Sequence, residues 1–308
     1  MMKRLGLVVL LVCFLSGSVF ASNDFSGVGN WSNAEIWSQG YVPTGEEEVK
    51  VRGDETICTL NTSTGDWGVG RRMRVYEGAT LIVEDGAELL GAGWMRVGAS
   101  NPGYVEQTGG LVSLQTGRDD SRLVIGDSGG SDGLYTISGG TLTYDVGEGD
   151  GHLTLGDRGG MGKFTVSGSG SVIQMGSLRV GGREASRAAT GTLEFLIDGL
   201  GVTPIQVNDV FLDPAGDDST ATLIVDLLGI GDADLSPTYL LVENLGDNPV
   251  NGIFDGMPEG TGVTLDTTVY NLTYVGGVGG NDIMLIPEPA TLLLFGLGGL
   301  VAFRRRRS

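Results

Sequence analysis

A unit that recurs through the middle of the chain constrains the fold more than any other feature. One copy reads Trp94-Met95-Arg96-Val97-Gly98, then Gly103-Tyr104-Val105-Glu106-Gln107-Thr108-Gly109-Gly110-Leu111. The next reads Arg122-Leu123-Val124-Ile125-Gly126, then Gly133-Leu134-Tyr135-Thr136-Ile137-Ser138-Gly139-Gly140. The third reads His152-Leu153-Thr154-Leu155-Gly156, then Gly162-Lys163-Phe164-Thr165-Val166-Ser167-Gly168. A fourth begins at Leu178-Arg179-Val180-Gly181, and a degenerate copy opens at Met73-Arg74-Val75. The lead glycines Gly98, Gly126, Gly156 and Gly181 are 28, 30 and 25 residues apart. Such a period marks a stacked-repeat architecture.

Each unit holds about three short runs in which apolar and polar residues alternate, closed by Gly or Gly-Gly. Alternation sends every second side chain inward. Leu123, Ile125, Tyr135 and Ile137 are therefore core residues of one coil, and Leu153, Leu155, Phe164 and Val166 of the next. One unit cannot bury its own apolar face, whereas stacked units can, through parallel ladders between equivalent strands. The fold class predicted is all-β: a parallel β-helix, or solenoid, with an antiparallel sandwich as the alternative for the body. Gly supplies 55 of the 308 residues, which breaks up any long helix and suits tight corners.

The domain reading has four parts: a signal peptide at 1–21, the solenoid with its N-terminal cap at 22–190, a C-terminal β cap or small β-sandwich at 191–286, and a tail at 287–308. Residues 24–60 read as the cap of the first coil, with Trp31 and Trp37 closing the core end rather than stacking on sugar. From Gly191 the strands lengthen, at Thr192 to Ile197 and Ala221 to Leu228.

The front has Lys3 and Arg4, an apolar run from Leu5 to Leu15, and small residues up to Ala21. This is a secretory signal with cleavage expected after Ala21. The apolar run is shorter than the ~20 residues of a membrane-spanning helix. At the other end, Pro287-Glu288-Pro289 leads into the uncharged stretch Ala290 to Phe303 and then Arg304, Arg305, Arg306 and Arg307. As a helix the stretch would rise ~21 Å, short for a ~30 Å hydrocarbon core. The four arginines would hold it with the body facing outward. An ordinary C-terminal membrane anchor is the plainer reading.

The tail resembles the PEP-CTERM sorting signal in all three parts: the Pro-Glu-Pro motif, the short hydrophobic helix and the terminal arginine cluster. The resemblance implies an exosortase, a membrane-embedded cysteine transpeptidase, as processing partner. It also implies a Gram-negative-type bacterium that makes exopolysaccharide, transient residence in the inner membrane, and delivery to the cell surface or extracellular matrix. The body is similar to the glycine-rich repeats of autotransporter-type passengers. What the body does is not implied by the tail.

Charge bounds the partners. Residues 23–286 hold 13 Lys and Arg against 37 Asp and Glu, a net charge of −24. Such a body repels nucleic acid and anionic lipid and suits divalent cations, basic partners or uncharged glycans. Plain solubility is the simpler account of the acidity. Cys58 is the single cysteine after Ala21, so it pairs with no other in the mature chain and reads as a small buried apolar residue.

The residues for catalysis are sparse. His152 is the only histidine, in the position held by Trp94 and Arg122 in other units, and reads as exposed. One His and one mature Cys supply no triad and no zinc site. Asp119 and Asp120, beside Arg118 and Arg122, are the acids a polysaccharide lyase or hydrolase would use, and a solvated turn is the commoner reading. Calcium is the ion that the turn aspartates Asp54, Asp66, Asp127, Asp157, Asp217, Asp218, Asp232 and Asp247 would hold. The stretch Gly276 to Asp282 only approaches the G-G-x-G-x-D calcium pattern. No catalytic, cofactor or metal residues are assigned. The functional expectation is a non-enzymatic surface or matrix protein bound to exopolysaccharide or another surface glycan. A polysaccharide-degrading enzyme and a calcium-stabilised array are the rivals.

Overall fold

The computed structural model describes residues 22–44, 47–62, 64–114, 122–144, 151–182, 187–212, 218–229 and 237–288. The predicted coils are present, and they stack in register. Each complete coil lays down one strand on each of three faces. On the first face Arg122–Ile125 pairs in parallel with residues 94–97 below it and with His152–Leu155 above it. Ser177–Val180 and Asp209–Leu212 continue the ladder. The second face is an eight-stranded parallel sheet that includes Gly103–Gln107, Asp132–Ile137, Met161–Ser167, Thr190–Ile197 and Thr220–Leu227. The third includes Leu111–Leu114, Gly140–Tyr144, Ser171–Gln174 and Ile205–Val207. Two long strands, Thr64–Tyr76 and Glu88–Val97, bend from the third face into the first.

Parallel register turns the alternating pattern into columns. Met73, Met95, Leu123, Leu153, Leu178 and Val210 stack on the inner side of the first face, and Val105, Tyr135, Phe164 and Leu193 on that of the second. All are buried, including the eight core residues predicted from the repeat. Gln107 also sits in the core, and its polar groups are met there. Tyr135 Oη donates to Gln107 Oε1 at 2.6 Å, and Gln107 Nε2 donates to the Thr141 carbonyl at 3.0 Å. Burial pushes the Tyr135 phenol well above its ordinary pKa.

The lead glycines make the corner between the first and second faces. Gly98, Gly126 and Gly156 have φ of 72°, 73° and 68°, a left-handed conformation that side chains resist. A second reason is steric. A Cβ on Gly126 would lie 2.2 Å from the Met161 carbonyl oxygen of the next coil. Just past the corner, Gly103, Gly133, Gly162 and Gly191 form a column of their own. A Cβ on Gly162 would lie 1.9 Å from the Ile125 carbonyl oxygen. These glycines bring backbone against backbone, which sets the narrowness of the corner.

The first coil is closed by aromatics, as predicted. Trp37 packs edge-on against Trp31 at 4.9 Å and against Phe25 at 5.1 Å, and its indole N–H donates to the Trp31 carbonyl at 2.7 Å. All three rings are buried.

The far end differs from the sequence reading in extent. The coils continue beyond 190: Thr190–Ile197 pairs in parallel with Thr220–Leu227, and Ile205–Val207 with Tyr239–Asn244. Strand length says nothing about strand direction, and Leu212 is followed by Asp213 where the earlier units have their lead glycine. Antiparallel pairing begins where Asp282–Pro287 lies between Tyr239–Asn244 and Thr268–Gly276, with Gly262–Leu265 outermost. This sheet, with Phe254 under Tyr274 and Tyr239 beside Tyr270, caps the rod. Among the described residues no helix is long and apolar enough to cross a membrane. The expected signal peptide with Ala21, and the tail from Pro289 with its hydrophobic stretch and Arg304 to Arg307, lie outside the described residues.

Two outcomes follow from this packing. Gly162→Ala meets backbone that no rotamer change relieves and should cost about 3 kcal/mol. Gly129→Ala, with its nearest neighbour 3.8 Å away and an ordinary φ, should stay within about 0.5 kcal/mol. Thermal unfolding followed by circular dichroism compares the two. Cys58 is fully buried, and burial raises its thiol pKa. Thiolate at pH 8 is therefore scarce, and a maleimide mapped by mass spectrometry should reach Cys58 only after unfolding.

Candidate functional site: an arginine and aromatic face

The outward columns of the first face collect the cations. Among the residues whose side chains are described, its strands carry Lys50, Arg52, Arg72, Arg74, Arg96, Arg122 and Arg179, against Asp24, Glu48 and Asp209. The strands of the second face carry only Lys163, against Glu106, Asp132, Glu194 and Asp226. A chain with a net charge of −19 thus sorts its positive charge onto one side.

Register explains the arrangement. Trp94 stands between Arg72 and Arg122 in one outward column, which His152 and Ser177 continue. Lys50, Arg74 and Arg96 form the neighbouring column. The Arg122 and Arg96 guanidiniums lie 4.2 and 4.4 Å from the Trp94 ring, and that of Arg72 lies 6.0 Å away. At the other end of the face Arg179 lies 5.1 Å from the ring of Phe211, its partner on the next coil. The aromatic faces offer partial negative charge to cations.

Carboxylates neutralise most of these side chains. Arg52 reaches Asp24 at 2.8 Å, Arg74 reaches Glu48 at 2.9 Å, and Lys50 lies 3.8 Å from Glu48. Asp127, which follows the lead glycine Gly126, bridges three coils. It meets Arg96 of the coil below at 3.0 Å and Arg158 of the coil above. Arg158 also reaches Asp157 at 3.7 Å. Burial, ahead of the attraction of Asp127, brings the Arg96 pKa down to about 10, and repulsion from Arg158, Arg72 and Arg74 adds to the fall. Two cations differ: among the described residues neither Arg72 nor Arg179 has a carboxylate partner. Arg72 is exposed and Arg179 half-buried, with its Nε buried and unpaired.

The residues singled out in the sequence fall as follows. His152 is half-buried rather than exposed, because its Nδ1 is 2.5 Å from Ser177 Oγ on the next coil. Arg122 is buried against Trp94, while Arg118, Asp119 and Asp120 lie outside the described residues. Of the aspartates considered for calcium, Asp127 and Asp157 face arginine, and Asp217 and Asp232 lie outside the described residues. Among the described residues no three His, Cys, Asp or Glu side chains converge as a metal site. Asp282, at the near-match to the calcium pattern, accepts from the Asn244 backbone N–H at 2.9 Å and ties the cap. Pro287 ends the strand Asp282–Pro287 opposite Tyr270, and the Glu288 N–H donates to the Val269 carbonyl at 3.0 Å. The Pro-Glu-Pro segment therefore starts inside the cap.

Residues 285–307 match the PEP-CTERM protein-sorting motif. The chain carries a PEP-CTERM sorting signal. The motif marks an exported protein, processed by an exosortase, held at its C-terminus and then exposed at the surface. No curated protein and no solved structure matches the chain significantly.

The arginine face was missed in the sequence, although its signal was there. Arg96 and Arg179 each stand two residues before a lead glycine, beside inward-facing apolar residues, and alternation alone sends them outward. The chain-wide charge concealed them. Asp127→Asn should lower stability by roughly 3 kcal/mol, because it leaves Arg96 buried without its anion. Glu194→Gln, which breaks the more exposed pair of Glu194 with Lys163, should cost under about 1 kcal/mol. Urea unfolding curves of the two variants give the comparison.

Proposed function

We propose that the protein is a non-enzymatic structural or adhesive component of the cell surface or extracellular matrix, associated with exopolysaccharide. The observation that carries this reading is the joining of a PEP-CTERM signal to the cap of a stacked rod. Pro287 and Glu288 sit in the cap sheet, and the parallel ladders extend from there toward Trp31. Eight strands at ~4.8 Å spacing make a spacer about 35 Å long. A rod of this kind presents its three faces to a surrounding polymer and needs no cavity to do so. A shallow apolar trough of about 270 Å³, lined by Tyr104, Leu134, Met161 and Lys163, lies on the second face. It is open enough to accept a sugar.

Mixed with exopolysaccharide from the parent cells, the exported protein should co-sediment with the polymer and release no new chain ends over hours. Accumulating chain ends would establish the degrading-enzyme reading instead. Replacing Pro287, Glu288 and Pro289 together by Ala should abolish delivery to the surface and leave the chain in the inner-membrane fraction on immunoblots.

A further inference from the structure

We propose that the first face binds an anionic polysaccharide, through two subsites in which an arginine with no carboxylate partner stands over an aromatic ring: Arg72 with Trp94, and Arg179 with Phe211. The inference rests on the glycan-associated reading above and deepens it from glycan in general to acidic glycan, and from the whole rod to one face.

Four observations lead there. First, the two sites share one chemistry. Each sets a guanidinium, whose planar donors fit a carboxylate or sulfate, beside a half-buried aromatic ring that supports it from one side. Second, their charges are left over. Asp24, Glu48, Asp127 and Asp157 take up Lys50, Arg52, Arg74, Arg96 and Arg158, while Arg72 and Arg179 meet no carboxylate among the described residues. Third, Arg96 is crowded by Arg72, Arg74 and Arg158, which lower its pKa beyond the effect of burial. An external anion beside Arg72 would relieve that repulsion. Fourth, the sites are aligned. Arg72 and the strand Ser177–Val180 are separated by four steps of one parallel ladder, about 19 Å at ~4.8 Å per step. A linear polymer lying along the rod axis reaches both.

The acidity of the whole chain does not oppose this. At physiological salt the Debye length is ~8 Å, so an anion at the first face responds mainly to that face. The same shortness selects the partner. Charged duplex or bilayer surfaces are broad and would also meet the acids of the neighbouring faces. A single glycan chain is narrow and stays over the arginines.

The test uses the full exported chain, with chelator present so that calcium does not gel the polymer. Binding is measured by Trp fluorescence and co-sedimentation against polygalacturonate, dextran sulfate, neutral dextran and duplex DNA. Polygalacturonate or dextran sulfate should bind and neutral dextran should not, with affinity falling about tenfold or more between 50 and 200 mM salt. The stronger of the two tells whether carboxylate or sulfate is the preferred anion. The Arg72→Gln/Arg179→Gln variant should bind about tenfold more weakly with an unchanged circular dichroism spectrum. Lys163→Gln, on the second face, should bind as the parent does. Equal binding of dextran and the acidic polymers, or an unaltered double variant, would overturn the inference while leaving glycan association intact. Tightest binding to DNA would overturn it in favour of a nucleic-acid partner. Failure of every glycan, the parent exopolysaccharide included, would remove both readings.

Discussion

In-register parallel pairing between successive coils governs everything else in this molecule. Once Leu123 lies over Met95 and under Leu153, any property chosen at one position is repeated at a spacing of ~4.8 Å along the rod. Apolar residues gain from that repetition, because a column of them is a continuous core. Charges lose, because like charges in a column repel. The structure handles the two cases differently. Core columns run almost unbroken, and where Gln107 interrupts one its polar groups are engaged. Cationic columns are interrupted by Trp94 and interleaved with Asp24, Glu48 and Asp127. Asp127 has the central place among these, since it ties together coils that are two steps apart.

The fold was legible because it depends on periodicity and on glycine, both of which are local in sequence. The lead glycines marked the corners, and alternation named the core. Legibility failed where the marker was lost. After Leu212 the lead position is Asp213 rather than glycine, yet the coil persists, held by register with Thr190–Ile197 and Ile205–Val207. The sorting tail was legible for a different reason: its recognition depends on composition and order rather than on packing.

The candidate site was only half legible. That Arg72, Trp94 and Arg122 share a column follows from aligning units. That Asp127 reaches Arg96 and Arg158 while Arg72 and Arg179 remain over depends on how far side chains extend across coils. His152 shows the same limit. Its equivalence to Trp94 and Arg122 was readable, but its contact with Ser177 belongs to the neighbouring turn. Net charge was the most misleading quantity, since it averages over faces that never see one another.

The strand Asp282–Pro287 lies inside the cap sheet, between Tyr239–Asn244, far back in the chain, and Thr268–Gly276, just before it. Its place has a consequence for the order of events during export. The coils can stack as they emerge, but the rod's far end stays an open β edge until residue 287 has crossed the membrane. The sorting segment follows at once. Closure of the cap and arrival of the signal are thus nearly simultaneous. A chain that stalls short of the strand would leave its edge unpaired, available to the edges of other chains. The last strand therefore acts as a latch, timed by translocation itself, that lets the sorting machinery meet a finished rod.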